Sequence, residues 1–238
     1  MPRLDVLVTK SGLAESRERA QALILAGKVR VAGETVRRPD RSVSDAASIS
    51  VETGPDYASR GALKLAPALD RFGVDPSSRI CADIGASTGG FTDVLLRRGA
   101  LKVYAIDVGR GLIHWRLRQD PRVVVIERVN ARDLETFPEA VSLMVVDVSF
   151  IGLEKVMPAL LRAAPAAEVV ALFKPQFQVG RSEVGKGGVV RDPEVIESAL
   201  AHFRGWCEAN GYEVRAEAQS ELAGAEGNQE IFLHLVPK

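Results

Sequence analysis

The strongest constraint on the fold is an alternation of short apolar runs with amphipathic stretches, which begins near Tyr57. The apolar runs have the length of buried strands, and the stretches between them have the length of helices. Strands are predicted over 80–84, 102–106, 123–126, 143–146, 169–173, 212–216 and 231–236, and helices over 91–98, 111–119, 153–163 and 193–210. This pattern predicts an α/β fold with a mostly parallel, seven-stranded sheet covered by helices on both faces.

The beginning of the chain follows a different pattern. A helix is predicted from Glu15 or Ser16 to Ala26, with Gly27 as its stop. A short hairpin over 29–31 and 35–36 and a strand over 48–51 follow, and turn-forming residues come after them. We therefore predict three parts, which are a small α+β domain over 1–53, a linker over 54–59 and the α/β domain over 60–238.

The charge of the chain is unevenly distributed. The formal net charge is zero, but residues 1–43 contain nine Lys and Arg against five Asp and Glu, a net charge of +4. The rest of the chain therefore carries −4. A basic module on a mildly acidic body favours a polyanionic partner that binds the module, although a basic face that is merely solvated has the same composition.

Several classes of protein are disfavoured by what the sequence lacks. No run of about 18 apolar residues is present, and the first residues lack the apolar core of a signal peptide. The two cysteines, Cys81 and Cys207, lie far apart and do not have the spacing of metal ligands. We expect a cytoplasmic protein without a structural metal.

A glycine-rich loop follows the first strand of the α/β domain. Its candidate cofactor-binding residues are Asp83, Gly85, Ala86, Ser87, Gly89, Gly90 and Phe91. Glycines at a strand-to-helix turn let the backbone approach a bound ligand closely. The loop differs from the dinucleotide motif G-x-G-x-x-G, because Ser87 replaces the middle glycine and Asp83 precedes the first. A carboxylate there would crowd a pyrophosphate but could support the amino group of a methionine moiety.

Further polar residues follow the next strands. Asp107 ends the second strand and could accept hydrogen bonds from both hydroxyls of an adenosine ribose. Asn130 and Ala131 follow the third strand and could flank an adenine, and Asp147 ends the fourth. Because ligands bind at the carboxyl ends of such strands, S-adenosyl-L-methionine is the favoured cofactor, with a nicotinamide dinucleotide as the alternative.

Three lysines stand out by their context. Lys174 ends an apolar strand, Lys64 precedes the first strand, and Lys186 lies in a glycine-rich loop. Methylation of a hydroxyl requires a base, and a lysine whose pKa is lowered by burial or by a neighbouring cation can serve. A lysine at a strand end is more often a solvated charge, and Glu230 could be an ordinary charge at a strand end. Parallel neighbouring strands bring their carboxyl ends together, however, so the strand that ends in Asp147 places Lys174 near that carboxylate and favours a functional role for it.

Taken together, Lys64, Asp147, Lys174 and Glu230 resemble the Lys-Asp-Lys-Glu tetrad of FtsJ-like ribose 2′-O-methyltransferases. The chain is more similar still to the TlyA family of ribosomal RNA methyltransferases, which are often called hemolysins. The first domain resembles an S4 domain at 3–5, 16–20 and 27–33, and the second resembles the family's catalytic domain at 59–65, 83–92, 147–151, 174–177 and 187–192.

The resemblance implies an S4-like domain followed by a Rossmann-like class I methyltransferase domain. It implies that Lys174 deprotonates the 2′-hydroxyl of a cytidine ribose in ribosomal RNA, that Asp147 orients Lys174, and that Lys64 and Glu230 position the nucleotide. Ribosomal RNA or a ribosomal subunit is then the partner. Candidate RNA-binding residues are Arg3, Arg17, Arg19, Lys28, Arg30, Arg60, Lys186 and Arg191.

Three other functions agree less well with the sequence. A nicotinamide oxidoreductase would need the missing middle glycine of the loop. A membrane-active hemolysin would need a spanning segment or a basic amphipathic helix with aromatic residues on one face. A non-catalytic RNA-binding protein would leave the glycine-rich loop and the tetrad without a role.

Overall fold

The structure, a computed structural model of the protein, describes residues 1–51, 57–224 and 227–238. It divides into two compact units, Met1–Asp56 and Tyr57–Lys238. Residues 57–59, which the sequence assigned to the linker, contact the second unit: the Ala58 amide donates to Asp93 Oδ2 at 2.8 Å, and Arg97 lies over the Tyr57 ring. The predicted linker residues 54–56 lie outside the described residues.

The first unit contains two helices and a three-stranded antiparallel sheet with β1 in the centre. Its elements are α1 (Leu4–Lys10), α2 (Arg17–Leu25), β1 (Val29–Val31), β2 (Glu34–Val36) and β3 (Ile49–Val51). Helix α2 begins just after the predicted start because Ser16 is its N-cap, whose hydroxyl accepts from the Arg19 amide at 3.1 Å. Helix α1 was not predicted, since its seven residues are too few to show a clear period.

The second unit is built around a seven-stranded sheet, which confirms the predicted fold class. Its elements are α3 (Ala62–Phe72), β4 (Ile80–Ile84), α4 (Gly90–Arg97), β5 (Lys102–Asp107), α5 (Trp115–Arg118), β6 (Val123–Glu127), β7 (Leu143–Val146), α6 (Leu153–Ala163), β8 (Glu168–Phe173), α7 (Pro193–Ala209), β9 (Tyr212–Gln219) and β10 (Ile231–Pro237). The strand order is β6-β5-β4-β7-β8-β10-β9. Apolar clusters cover both faces of the sheet, one including residues of α6 and α7 and the other residues of α3 and α4.

The directions of the strands determine which residues meet at one edge of the sheet. Strands β4 to β8 are parallel, so that their carboxyl ends lie together. Strand β10 runs antiparallel between β8 and β9, and its first residue, Ile231, pairs with Phe173 at the end of β8. The residue before Ile231 therefore reaches the edge at which the parallel strands end.

Two helices differ from the sequence predictions. Helix α3 was not predicted, because Pro67 inside it is a strong helix breaker. The apolar residues Leu65, Ala68 and Leu69 are nevertheless buried along one face, and this packing outweighs the lost hydrogen bond. The helix predicted over 111–119 is only four residues long, since the chain reaches α5 through a loop with Gly111 at a positive φ. Among the described residues, no helix has both the length and the apolarity to cross a membrane.

Candidate active site

A cleft of about 800 Å³ lies at the carboxyl ends of the parallel strands of the second unit. Its walls come from the segments that follow β4, β5, β6, β7 and β8, as the rule for open parallel sheets requires. The predicted cofactor residues that line it are Gly85, Ser87, Asp107, Asn130, Ala131 and Asp147. A smaller cavity of about 200 Å³ is lined by the glycine-rich loop, Asp147, Ser59 and Gly61. The tertiary structure thus brings together residues from four strand ends.

The glycines of the loop are required by close contacts. Gly85 has φ +85°, and a Cβ on it would lie 2.4 Å from the backbone oxygen of Asp147. A Cβ on Gly90 would lie 2.3 Å from Ser59 Oγ and 2.9 Å from the Ala62 amide. Any side chain at these positions would push apart the strand ends or the segment before α3. The absence of side chains at these two positions therefore lets the loop pack closely against the end of β7 and the start of α3.

Asp107 is held in a fixed orientation at the end of β5. Its Oδ2 accepts from the Ser87 amide at 2.7 Å, and its Oδ1 accepts from the Gly109 amide at 2.7 Å. Each carboxylate oxygen retains acceptor capacity beyond these bonds. Asp107 therefore presents acceptors at the wall of the cleft, as a ribose with two adjacent hydroxyls requires.

Asp83 lies beneath the loop and lines neither cavity. Asp83 is fully buried, and its Oδ2 accepts hydrogen bonds from the amide and the hydroxyl of Thr92 at 2.8 and 2.6 Å. Burial raises the pKa of this carboxyl to about 7, and the charges of Asp147 and Asp107 also raise it, while the bonds from Thr92 lower it. Asp83 thereby joins β4 to the start of α4. Its Oδ1 makes no hydrogen bond to the described residues, and the expected contact with an amino group stays a prediction.

Two other residues of the loop are also largely buried. Phe91 is 3% exposed, and its ring centroid lies 6.1 Å from that of Phe232 in the core. It reaches only the smaller cavity, together with Ala86 and Gly90. Gly89 lines neither cavity, and a Cβ on it would collide with Leu117. Phe91 and Gly89 therefore pack the loop against the core of the second unit and do not line the large cleft.

The four tetrad residues form two ion pairs. Lys174 Nζ lies 2.6 Å from Asp147 Oδ1, and Lys64 Nζ lies 2.5 Å from Glu230 Oε2. The side chains of Lys174 and Glu230 are 8% and 3% exposed, so both charges are held largely out of water. Buried charges persist when they are paired, and each of these has a partner of opposite sign.

A pocket of about 320 Å³ adjoins the tetrad. Lys64, Lys174 and Glu230 line it, together with residues of three loops: Ser149, Phe150, Gln176, Phe177, Val184 and Gly188. Ser149, Phe150, Gln176 and Phe177 also line the larger cleft. The Lys174 amine therefore faces a pocket that shares one wall with the cofactor-sized cleft.

Three residues of this site were not singled out from the sequence. Ser149 Oγ accepts a hydrogen bond from Lys174 Nζ at 2.9 Å. Phe150 is 91% exposed at φ +64°, a conformation that non-glycine residues rarely adopt. They lie two and three positions after Asp147, and an aromatic residue close behind a catalytic candidate is a signal that could have been used.

Asn228 is the third residue that the sequence did not reveal. It is 1% exposed, accepts from the Val190 amide at 3.0 Å and donates to the Gly188 carbonyl at 2.8 Å. It thereby holds a second glycine-rich loop, over 185–190, whose Gly188 lines the pocket together with Glu230. An asparagine next to a glycine normally indicates a turn, so its sequence context hides this role.

The candidate RNA-binding residues lie on the surfaces of the two units. In the second unit, Arg60, Lys186 and Arg191 are exposed. In the first unit, Arg19 and Arg30 are exposed and Lys28 is half-buried. Lys186 and Arg191 lie on either side of the segment 188–190, which Asn228 holds by hydrogen bonds. The same loop therefore lines the pocket through Gly188 and carries two exposed positive charges.

Arg3 and Arg17 have an additional structural role. Each donates to the carboxylate of Asp5, which is fully buried, and Gln21 donates to it at 2.7 Å. These bonds hold the pKa of Asp5 well below its usual range, the bond from Arg3 being the largest cause. The guanidinium groups remain about half exposed, which leaves them able to contact a polyanion as well.

Comparison with known families assigns both units. Residues 57–236 match the FtsJ-like methyltransferase family, and residues 2–47 match the S4 domain family. The methyltransferase match covers most of the chain and coincides with the unit that contains the cleft and the two ion pairs. The S4 match falls within the basic first unit.

Individual proteins match over nearly the whole chain. The 16S/23S rRNA (cytidine-2′-O)-methyltransferase TlyA of Mycobacterium tuberculosis is 49% identical over 98% of this chain and 89% of its own length. Hemolysin A of Brachyspira hyodysenteriae is 42% identical over 98% of this chain and 99% of its own. A solved structure of a hemolysin-named protein from Streptococcus thermophilus has 40% identity and a TM-score of 0.78, covering 99% of this chain and 88% of that one.

Proposed function

The chain belongs to the TlyA family of S4-containing, FtsJ-like methyltransferases, and from this premise we propose that it methylates the ribose 2′-hydroxyl of a cytidine in ribosomal RNA. The methyl donor is S-adenosyl-L-methionine. The observation that supports this proposal best is the pairing of Lys174 with Asp147 at 2.6 Å, in a pocket that shares a wall with a glycine-lined cleft.

The cleft fits the methyl donor. Gly85 lines the cleft, and its lack of a side chain lets the loop pack against the end of β7. Asp107 would hold the ribose hydroxyls of the adenosine, and Asn130 and Ala131 would flank its base. When bound, the donor supplies an electrophilic methyl group on a sulfonium, whose loss leaves a neutral thioether.

Lys174 acts as the general base. Its unprotonated amine accepts the proton of the 2′-hydroxyl while the oxygen forms its bond to the methyl carbon and the bond from sulfur to that carbon breaks. The proton would leave a positive charge on Lys174, whose Nζ lies 2.6 Å from Asp147 Oδ1. Asp147 therefore stabilises the charge that develops on the base.

Lys64 and Glu230 position the target nucleotide. Their ion pair lies on the wall of the same pocket as Lys174, and Glu230 is almost fully buried. Phe150 offers an exposed aromatic face at this pocket, 5.2 Å from the Phe177 ring, on which an unstacked nucleobase can pack. The basic first unit adds affinity for the phosphate backbone.

The test is methyl transfer from radiolabelled S-adenosyl-L-methionine to unmethylated 16S and 23S ribosomal RNA, followed by mapping of 2′-O-methyl positions. The expected result is a labelled cytidine in at least one of the two RNAs, which disappears with Lys174→Ala. Absence of labelled RNA, with NAD binding in place of the methyl donor, would favour the oxidoreductase alternative. Lysis of erythrocytes that Lys174→Ala leaves unchanged would show a separate activity of the kind that the hemolysin names suggest.

A further inference from the structure

Lys174 Nζ has two acceptors of different kinds. Asp147 Oδ1 lies 2.6 Å away in an ion pair whose direction does not meet hydrogen-bond geometry. Ser149 Oγ lies 2.9 Å away and accepts a directed hydrogen bond from the amine. Lys174 as a whole residue is 6% exposed. Ser149, in contrast, is exposed and lines both the large cleft and the pocket beside the tetrad.

The two acceptors account for the hydrogens of a neutral amine. An ammonium has three N–H donors and no lone pair, while the unprotonated amine that acts as a base has two N–H donors and one lone pair. The directed bond to Ser149 fixes one N–H of the amine, and the charge of Asp147 2.6 Å away attracts the other, so that the lone pair occupies the remaining direction. With Asp147 alone, the amine would be free to rotate about its bond to Cε, and the lone pair would have no fixed direction.

We propose that Ser149 is a positioning residue, which orients the lone pair of Lys174 toward the ribose hydroxyl by accepting a hydrogen bond from its amine. This inference rests on the proposed function, since it assigns Lys174 the role of base. Ser149 acts through Lys174 and contributes to the rate of proton removal by alignment.

The backbone conformation of Phe150, the residue after Ser149, agrees with a functional role for this turn. Phe150 adopts φ +64°, which is disfavoured for a residue with a bulky side chain. Such conformations occur mainly where the surroundings demand them, often at functional sites. Here the turn carries Asp147, Ser149 and Phe150 past the end of β7, and it places the serine hydroxyl beside the buried amine.

The experiment measures the single-turnover rate of 2′-O-methylation of unmethylated ribosomal RNA by the full chain. Ser149→Ala is expected to lower this rate by about tenfold or more, with the affinities for RNA and for S-adenosyl-L-methionine, measured by calorimetry, within about twofold of wild type. Ser149→Thr keeps a hydroxyl and is expected to restore most of the rate. Ser142→Ala is the matched control, because the Ser142 hydroxyl also accepts from a cationic side chain, Arg79 at 3.2 Å, but before β7.

The possible outcomes separate the two claims. A Ser149→Ala rate equal to wild type, or a Ser149→Thr rate as low as that of Ser149→Ala, overturns the positioning role. A loss confined to RNA affinity also overturns it, because it would indicate a direct substrate contact. If the wild-type chain transfers no methyl group although it binds both ligands, the proposed function itself is wrong.

Discussion

Glu230 Oε2 lies 2.5 Å from Lys64 Nζ, although the two residues are 166 positions apart in the chain. Lys64 belongs to α3, which precedes the first strand of the large sheet, and Glu230 precedes the last strand. They meet because β10 is inserted antiparallel beside β8. The pair lines the pocket that Lys174 also lines, so that a residue of the first helix and the residue before the last strand of the second unit contribute to one site.

Lys174→Ala is expected to remove most of the methyl transfer, by about 10²- to 10⁴-fold, because it deletes the proposed general base. The affinity for S-adenosyl-L-methionine should stay near that of wild type, since Lys174 does not line the large cleft. Single-turnover kinetics and calorimetry measure the two quantities. Lys238→Ala is the control, as Lys238 pairs with Glu208 on the surface. Retained activity in Lys174→Ala would remove this lysine from the mechanism.

Asp107→Ala is expected to weaken binding of S-adenosyl-L-methionine by about tenfold or more, because two acceptors for ribose hydroxyls are lost. The variant also frees the amides of Ser87 and Gly109, which loosens the loop. Calorimetric titration with the methyl donor measures the effect. Asp133→Ala is a suitable control, because Asp133 is exposed and does not line the cleft. Equal affinities of the two variants would contradict a ribose contact.

Asn228→Ala is expected to raise the KM for RNA by about tenfold, because the loop around Gly188 and Val190 loses two side-chain hydrogen bonds. Affinity for the methyl donor should not change. The control is Asn210→Ala, which removes a hydrogen bond from an asparagine to the Trp206 carbonyl at the end of α7. Steady-state kinetics with varied RNA distinguish the two variants, and similar kinetics in both would show that the loop is held by other contacts.

The first unit is expected to supply salt-dependent RNA affinity. The double variant Arg19→Gln/Arg30→Gln should bind ribosomal RNA more weakly, and the slope of log K against log salt should fall by about 1 to 2. Filter binding at several salt concentrations gives the slope. Arg162→Gln, which neutralises an exposed arginine of α6, serves as the control. An unchanged slope in the double variant would contradict phosphate contacts by these residues.

Glu168 is expected to make stability pH-dependent. It accepts from His234 at 2.6 Å and pairs with Arg79, and these contacts lower its pKa to about 2, with the bond to His234 as the largest cause. Because the folded pKa lies below the unfolded one, the stabilisation is complete above pH 5 and is lost as pH falls toward 2. Glu168→Gln should therefore reduce the free energy of unfolding by about 2 kcal/mol at pH 7 and by less than half of that at pH 3. Urea titrations at both pH values measure the difference, and an equal loss at both would rule out this ionic origin.

Much of the site was predictable because it follows local patterns. The buried strands show as apolar runs, and the glycine-rich loop shows as a break between strand and helix. Since consecutive parallel strands end at one edge, the proximity of Asp147 to Lys174 followed from strand assignments alone. By contrast, Ser149 and Asn228 look like ordinary loop residues, and their hydrogen bonds depend on segments that are distant in sequence.

The hydrogen bonds of Asp83, at the end of β4, could not be predicted from the sequence either. Its position before the glycines predicts a ligand contact, but not the two hydrogen bonds that its Oδ2 accepts from Thr92 beneath the loop. The direction of a side chain at a strand end depends on the pleat and on the helix that packs over it. Helix α3 was likewise hidden by Pro67, because only burial of its apolar face reveals why the helix tolerates a proline.

The sequence by itself determined the order of strands and helices, the glycine-rich loop and the residue types of the tetrad, because these follow from local periodicity, backbone freedom and side-chain chemistry. Only the tertiary structure decided that Glu230 pairs with Lys64 and that Ser149 holds the amine of Lys174. Those contacts require β10 to enter the sheet antiparallel between β8 and β9 and the chain to turn sharply at Phe150. Strand pairing across the chain is a non-local choice, set by the packing of the whole core, and no local pattern encodes it.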